Sequence, residues 1–144
     1  MADKTFHIEI VTPRELVFSG EASLVTLPGV VAPFQVLVNH APIVTQLEVG
    51  DIRVVTSDNQ ELHFATSGGF LEMNNNRMTV IAETAELASA IDPDRAERSY
   101  RRAQERIAEG RRTHDAAIDV ARAEASLARA MNRLKLVGRG FPSM

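Results

Sequence analysis

The chain has 144 residues, 44% of them hydrophobic, with no Cys and a formal net charge of −3. That is enough apolar material for one or two small domains with a buried core. The lack of Cys excludes disulfides and thiolate metal sites, and no apolar run reaches the length of a membrane span, so any membrane link is expected to be indirect.

Met1-Ala2-Asp3-Lys4 leads straight into a strand-like run without an apolar signal region. The net charge hides a split. Residues 1–87 carry four bases against eleven acids, which is −7, and residues 88–144 carry twelve bases against eight acids, which is +4. Such asymmetry either solvates exposed faces or marks two surfaces for different partners.

Residues 1–87 read as short strands broken by turn residues. Phe6 to Val11 alternates, with Phe6, Ile8 and Ile10 on one face. Leu16-Val17-Phe18 precedes a turn at Ser19-Gly20, and Ser23 to Leu27 stops at Pro28-Gly29. Phe34 to Val38 is a short apolar run, and Asn39-His40-Ala41-Pro42 follows as an exposed turn at one end. Asp51–Thr56 and Glu61–Thr66 flank Ser57-Asp58-Asn59-Gln60, and Phe70–Met73 and Met78–Ala82 flank Asn74-Asn75-Asn76. Closely spaced strands with these breakers predict an antiparallel β-sandwich or barrel.

At Ala85 the composition changes to Ala, Arg and Glu, strong helix formers that run to the end. Asp92 caps a first helix, Pro93 suits its first position, and Asp94 favours the positive end of the dipole. Ala96, Tyr100, Ala103 and Ile107 form its buried stripe, and Gly110 is the expected stop, with Arg111 and Arg112 in the last turn. A second helix is expected from Thr113–Asp115 to about Val137, with Ile118 or Val120, Ala123, Leu127, Ala130 or Met131, and Leu134 facing the first. Gly138, Gly140 and Pro142 end the order. The short connection predicts an antiparallel two-helix hairpin, so the fold class is α+β: a sandwich over 1–87 and a hairpin arm over 88–144. Its Ala-rich seam suits either an ordinary hairpin or a movable arm, since Ala burial contributes far less than the roughly 1.5–3 kcal/mol of Leu or Phe.

Catalytic chemistry finds little support. His7, His40, His63 and His114 show no HxH or HExxH spacing, and no metal site is expected. Triads assemble in space, but no Ser stands in a GxSxG elbow. Ser67-Gly68-Gly69 is the nearest thing to a phosphate-cradling loop, yet it lacks the P-loop Lys and precedes a strand; it reads as a tight turn or bulge between two strands. A small-molecule enzyme built on the sandwich would need a deep pocket with convergent titratable groups. His40 is either a turn residue bonded to its own backbone or a polar contact for a partner.

Taken in order, Phe6 to Pro13, Phe18-Ser19-Gly20, Val36-Leu37-Val38-Asn39-His40-Ala41-Pro42, Gly50-Asp51-Ile52-Arg53, Ser67-Gly68-Gly69-Phe70-Leu71-Glu72, Met78 to Ala82 and Ile91-Asp92-Pro93-Asp94-Arg95-Ala96 resemble the epsilon subunit of the bacterial and chloroplast F-type ATP synthase. The series covers nearly the whole chain. It departs before His40, where the family carries a Gly-rich stretch and this chain has Val30-Val31-Ala32-Pro33-Phe34-Gln35-Val36-Leu37-Val38, expected to be stiffer and more apolar.

The resemblance implies a non-catalytic subunit of the central rotor stalk, with no cofactor required. The sandwich would dock on the gamma subunit and on the c-ring, coupling torque, through Phe34, Asn39, His40, Ala41, Pro42, Ser67, Gly68 and Gly69; this end faces the membrane-embedded ring. The arm would be a brake, folded on the sandwich when permissive and extended along gamma to the alpha and beta subunits when inhibitory. Arg122, Arg129, Arg133, Lys135 and Arg139 would meet acidic segments of the catalytic head. Ile91, Asp92, Arg95 and Ala96 resemble the motif of members that bind regulatory ATP, with Arg102 and Arg129 placed to meet phosphates; Asp92 is equally explained as a cap.

The implied location is the cytoplasmic face of the bacterial inner membrane, reached through the complex, and the lack of a transit segment favours this over a thylakoid. The alternative is a nucleic-acid-binding module using the Arg-rich hairpin. Tyr100 is the arm's one aromatic residue up to Gly140 and its acids interleave with its bases, which opposes stacking or phosphate tracking.

Overall fold

The structure, a computed structural model, describes residues 4–138. Arg139, Gly140 and Pro142 lie outside the described residues. The chain divides after Ala88 into two compact units.

Among the described residues the first unit has nine strands: β1 Phe6–Val11, β2 Leu16–Leu27, β3 Phe34–Leu37, β4 Ile43–Leu47, β5 Gly50–Thr56, β6 Glu61–Thr66, β7 Gly69–Asn74, β8 Arg77–Ala82 and β9 Ala85–Leu87. They follow the order β4-β7-β8-β1-β2-β5-β6-β9, with β3 added to β2. Every ladder is antiparallel except β1–β8, which is parallel, with Ile8 opposite Met78 and Ile10 opposite Val80.

The twelve residues of β2 explain how one sheet becomes two layers. Leu16 to Ala22 pairs with β1, whereas Ala22 to Leu27 pairs with β5 and β3. A register shift between Ala22 and Leu24 leaves Ser23 as the extra residue, and a bulge of this kind bends a strand. The turn expected at Ser19-Gly20 is therefore absent: both residues sit in the β1 ladder opposite Glu9 and Ile8, and tertiary pairing overrides the turn signal. Ile43–Leu47 was not expected as a strand because Thr45 and Gln46 break its apolar run; it pairs with β7. Ala85–Leu87, where the composition already turns helix-favouring, still belongs to the sandwich and pairs with β6. Phe6, Ile8, Ile10, Val25, Leu27, Ile52, Val54, Phe64, Leu71, Met73, Met78 and Val80 fill the core, at about 1.5–3 kcal/mol for each large side chain. Phe64 also meets the Phe18 ring at 5.4 Å between centroids, tilted by 49°.

The second unit contains α1 Pro93–Thr113 and α2 Val120–Leu136. Asp92 caps α1, its carboxylate accepting from the N–H groups of Asp94 and Arg95 at 3.0 and 3.2 Å, and Pro93 occupies the first turn. Ala96, Tyr100, Ala103 and Ile107 are buried as the spacing predicts. Gly110, however, does not stop the helix. α1 runs on to Thr113, and His114 takes the left-handed position (φ 51°, ψ 31°) with its N–H on the Gly110 carbonyl. A Cβ on Gly110 would lie 2.6 Å from Val120 Cγ2 and 2.9 Å from Ile118 Cγ2, so this Gly permits close approach across the hairpin. α2 starts later than expected. Asp115 spends its carboxylate on the Ala117 N–H, and it is Asp119 that caps, accepting from Arg122 N–H at 3.0 Å.

Candidate docking surfaces and the arginine groove

The ladders place the expected sandwich contacts at two ends, not one. Asn39 to Pro42 lies beside the β7–β8 turn, where Asn39 bonds Asn76. Phe34 opposes Leu27 at the other end of β3, near the bridge from Gly29 to Leu47, and Gly69 opposes Leu47 there. The resemblance treats Val30–Val38 and the His40 turn as one end of the sandwich. The structure corrects this, because the four residues of β3 separate them by about 13 Å of strand rise.

At the first end, Asn39 is left-handed (φ 64°) and the His40 N–H bonds the Leu37 carbonyl at 3.2 Å. The His40 ring also bonds its neighbour's backbone, with Nδ1 2.6 Å from the Ala41 carbonyl oxygen. At the second end, Val31 is 99% exposed and Val30 also protrudes. The loop is thus apolar as expected. It remains a tight turn at Gly29, where a Cβ would fall 2.5 Å from the Ala32 carbonyl oxygen.

Ser67-Gly68-Gly69 joins β6 to β7 and is pinned to residues 83–84. The Ser67 N–H and Thr66 Oγ1 donate to the Thr84 carbonyl, and Ser67 Oγ accepts from the Thr84 N–H. Gly68 has φ 102°, and a Cβ there would sit 2.9 Å from the Leu47 carbonyl oxygen. These glycines are demanded by backbone packing, not by a phosphate.

Beside this loop the structure shows a surface that the sequence reading missed. Phe70 and Ile81, 57% and 56% exposed, stand opposite each other, Val11 pairs with Ile81, and Leu16 pairs with Val11. Together they make an apolar band across four strands. A groove of about 580 Å³ runs alongside, bordered by Val11, Phe70, Ile81 and the loop glycines, with Glu48 and Glu83 at its rim. The signal was present: Phe70-Leu71, Val80-Ile81 and Ile10-Val11 place two large apolar residues in sequence, and strand alternation must turn one of each pair outward.

Within the hairpin, Arg102, Arg106, Arg122, Arg129 and Arg133 line one groove of about 600 Å³, with Asp119 as its single carboxylate. Arg102 and Arg106 are one turn apart on α1. Arg122, Arg129 and Arg133 share a face of α2, as i, i+7 and i+11 spacing dictates. Arg102 donates to Ser99 Oγ at 3.2 Å and Arg129 to Ser126 Oγ at 3.0 Å, both neutral hydroxyls. Arg102 and Arg129 thus border one groove together with Arg106. Ile91, Asp92, Arg95 and Ala96 do not border this groove, and neither does Lys135. Near the turn, Arg111 donates to Glu124 at 2.7 Å, tying α1 to α2.

A separate charged cluster lies across β5 and β6. Arg53 bonds both Glu61 carboxylate oxygens, at 2.7 and 3.1 Å; His63 reaches Asp51 through Nδ1 at 2.7 Å and Glu61 through Nε2 at 2.8 Å. Hydrogen bonds from Arg53 and His63 hold the Glu61 carboxyl down to about 2. Burial pushes the His63 imidazole down, but Asp51 and Glu61 outweigh it and raise it above its usual range. Only the imidazolium donates to both carboxylates at once. The folded state thus holds this proton more tightly than the unfolded chain, so the stabilisation is complete below pH ~6.5 and fades as pH rises through the raised value. His63→Gln should flatten the decline in thermal midpoint between pH 6 and 9, an effect of less than about 1 kcal/mol for so exposed a pair. A midpoint in the parent chain that does not fall over that range would contradict this.

Comparison with known proteins agrees with the division of the chain. Residues 5–88 match the family described as ATP synthase, Delta/Epsilon chain, beta-sandwich domain, and residues 89–138 match its long alpha-helix domain. An ATP synthase epsilon chain of Lactobacillus delbrueckii is 41% identical over 140 residues, 95% of this chain and 95% of the relative. One of Desulforamulus reducens is 42% identical over 132 residues, 92% of this chain and 96% of the relative. Among solved structures, a chain in the cryo-EM structure of Euglena gracilis mitochondrial ATP synthase, OSCP/F1/c-ring in rotational state 1, shares the fold with a TM-score of 0.75. That match covers 89% of this chain and 78% of the other at 18% identity. These relatives give no support to a nucleic-acid-binding module.

Proposed function

Because this chain belongs to the delta/epsilon family of ATP synthase chains, as an accessory subunit without catalytic activity of its own, we propose that it couples and regulates the rotary machine from the central stalk. The sandwich docks on the gamma subunit and the c-ring, and the arm restrains ATP hydrolysis by reaching the alpha and beta subunits. Among the described residues no helix is long and apolar enough to cross a membrane. The proposed location is peripheral, on the cytoplasmic face of a bacterial inner membrane.

The observation that carries this reading is the segregation of the two surfaces. An apolar band with an acidic rim lies on one unit, and a groove lined by five guanidiniums lies on the other. The band supports docking by area burial, in which apolar contact supplies most of the energy and the rim supplies selectivity. Five guanidiniums beside one carboxylate give the groove a net positive field that favours an anionic ligand. Two anions fit: acidic segments of the catalytic head, and the triphosphate of regulatory ATP. With ATP in the groove the arm stays a closed hairpin and hydrolysis proceeds; with the groove empty the arm extends, and Arg122, Arg129 and Arg133 become available to the head.

One reconstituted ATP synthase tests both halves. Ending the chain after Ala88 should raise ATP hydrolysis severalfold while the complex stays assembled; unchanged hydrolysis would remove the braking role and leave the docking role standing. Calorimetric titration of the full chain with ATP should show binding that Arg102→Ala and Arg129→Ala each weaken about tenfold, the loss of one charge-assisted contact worth about 1.4 kcal/mol. Absence of heat at millimolar ATP would leave acidic protein segments as the groove's anion.

A further inference from the structure

The turn that carries His40 lacks the usual support of a hairpin. β3 pairs with β2 and β4 pairs with β7, so the connection from Leu37 to Ile43 crosses between ladders with no strand pairing of its own. It contains no Gly, and Asn39 takes the left-handed conformation there. The carbonyl oxygen of Ala41 can only accept, so His40 Nδ1 carries a hydrogen, and in the neutral ring Nε2 is an acceptor that no described residue engages.

The neighbouring β7–β8 turn holds this connection in place through one residue. Asn76 Oδ1 accepts from the Asn39 backbone N–H at 2.7 Å, and Asn76 Nδ2 donates to Asn39 Oδ1 at 2.9 Å. The Asn76 carbonyl in turn accepts from the His7 N–H at 3.0 Å, fixing it to β1. Asn75 and Asn76 both have positive φ, 49° and 57°, the conformation of a tight two-residue hairpin turn. The sequence pattern marked Asn74-Asn75-Asn76 as a turn and nothing more.

We propose that Asn76 is the positioning residue of the docking turn: its paired amide hydrogen bonds to Asn39 aim His40 Nε2 at a hydrogen-bond donor on the partner subunit. This deepens the docking function proposed above and rests on it. Without the pair, the connection is an unpaired segment that must be ordered on binding, and ordering is subtracted from affinity.

The test titrates ATP synthase complex isolated without this subunit with fluorescently labelled full-length chain. Asn76→Gly keeps the positive φ accessible and removes the amide; it should weaken binding roughly tenfold, the scale of two lost neutral hydrogen bonds. Asn76→Asp still accepts from the Asn39 N–H but cannot donate to its side chain, so its affinity should fall between, and it carries the test if the Gly variant unfolds. His40→Ala should weaken binding in the parent chain but add little in the Asn76→Gly background, a coupling that general destabilisation would not produce. If His40→Ala leaves affinity unchanged, docking through this turn fails and the role of Asn76 fails with it. If His40→Ala weakens binding while the Asn76 variants do not, or the two effects simply add, the positioning role is overturned and the docking turn stands.

Discussion

Replacing Gly69 with Ala should destabilise the sandwich by about 3–5 kcal/mol, the sum of an unfavourable backbone conformation and an overpacked contact. Gly69 has φ 154°, and a Cβ there would collide with the Ile81 carbonyl oxygen and lie 2.8 Å from Ala82 Cα. These are backbone atoms of β8, so no rotamer change relieves them. Gly69 opposes Leu47 and Ala82 at once, and moving it loosens the ends of two ladders. Gly138 is the control: its φ is also positive, 73°, but nothing stands within 4 Å of an added Cβ, so Gly138→Ala should cost only about 1 kcal/mol. Urea denaturation followed by strand signal separates the two. A Gly69→Ala loss no larger than that of Gly138→Ala would mean the β7–β8 ladder yields freely. Where the Gly69→Ala loss is as large as expected, any loss of partner binding in this variant reads as a folding loss.

The second large effect falls on the arm. Gly110→Ala should raise the intrinsic helix propensity of α1 by about 1 kcal/mol and at the same time weaken closure of the hairpin by about 1–3 kcal/mol. The added methyl enters the space held by Val120 and Ile118, so α2 must move away or those side chains must leave their positions. Because the chain has no Cys, a spin-label pair at Ala108→Cys and Ala125→Cys, both exposed, reports the separation of the helices directly. The distance distribution should broaden to longer values with helical circular dichroism unchanged or increased, and hydrolysis by the assembled enzyme should become more strongly inhibited. A distribution identical to the parent would show that the contact repacks at little cost, and Gly110 would then be no part of the closing mechanism.

Much of the candidate site was legible. Asp92, Pro93 and the stripe of Ala96, Tyr100, Ala103 and Ile107 follow from spacing and capping chemistry, which are local. Arg102 and Arg129 came from a motif, and the groove they share was not deducible, since it depends on how two helices meet. Arg106 is one turn from Arg102 and was recoverable in retrospect. The Phe70–Ile81–Val11 band was overlooked because apolar residues are assumed to face inward until pairing partners show which side is in.

The sequence by itself determined the α+β class, the change from strand to helix composition, the helix cap at Asp92 and the family, since each depends on residue type and short-range order. Tertiary structure decided the rest. It turned Ser19-Gly20 from a turn into ladder and Gly110 from a helix stop into a contact point, and it placed Phe34 and the His40 turn at opposite ends of β3. The physical reason is the same in each case. A Gly or a turn pair states only what the backbone is permitted to do, and the neighbour that chooses among the permitted conformations is supplied by residues distant in the chain.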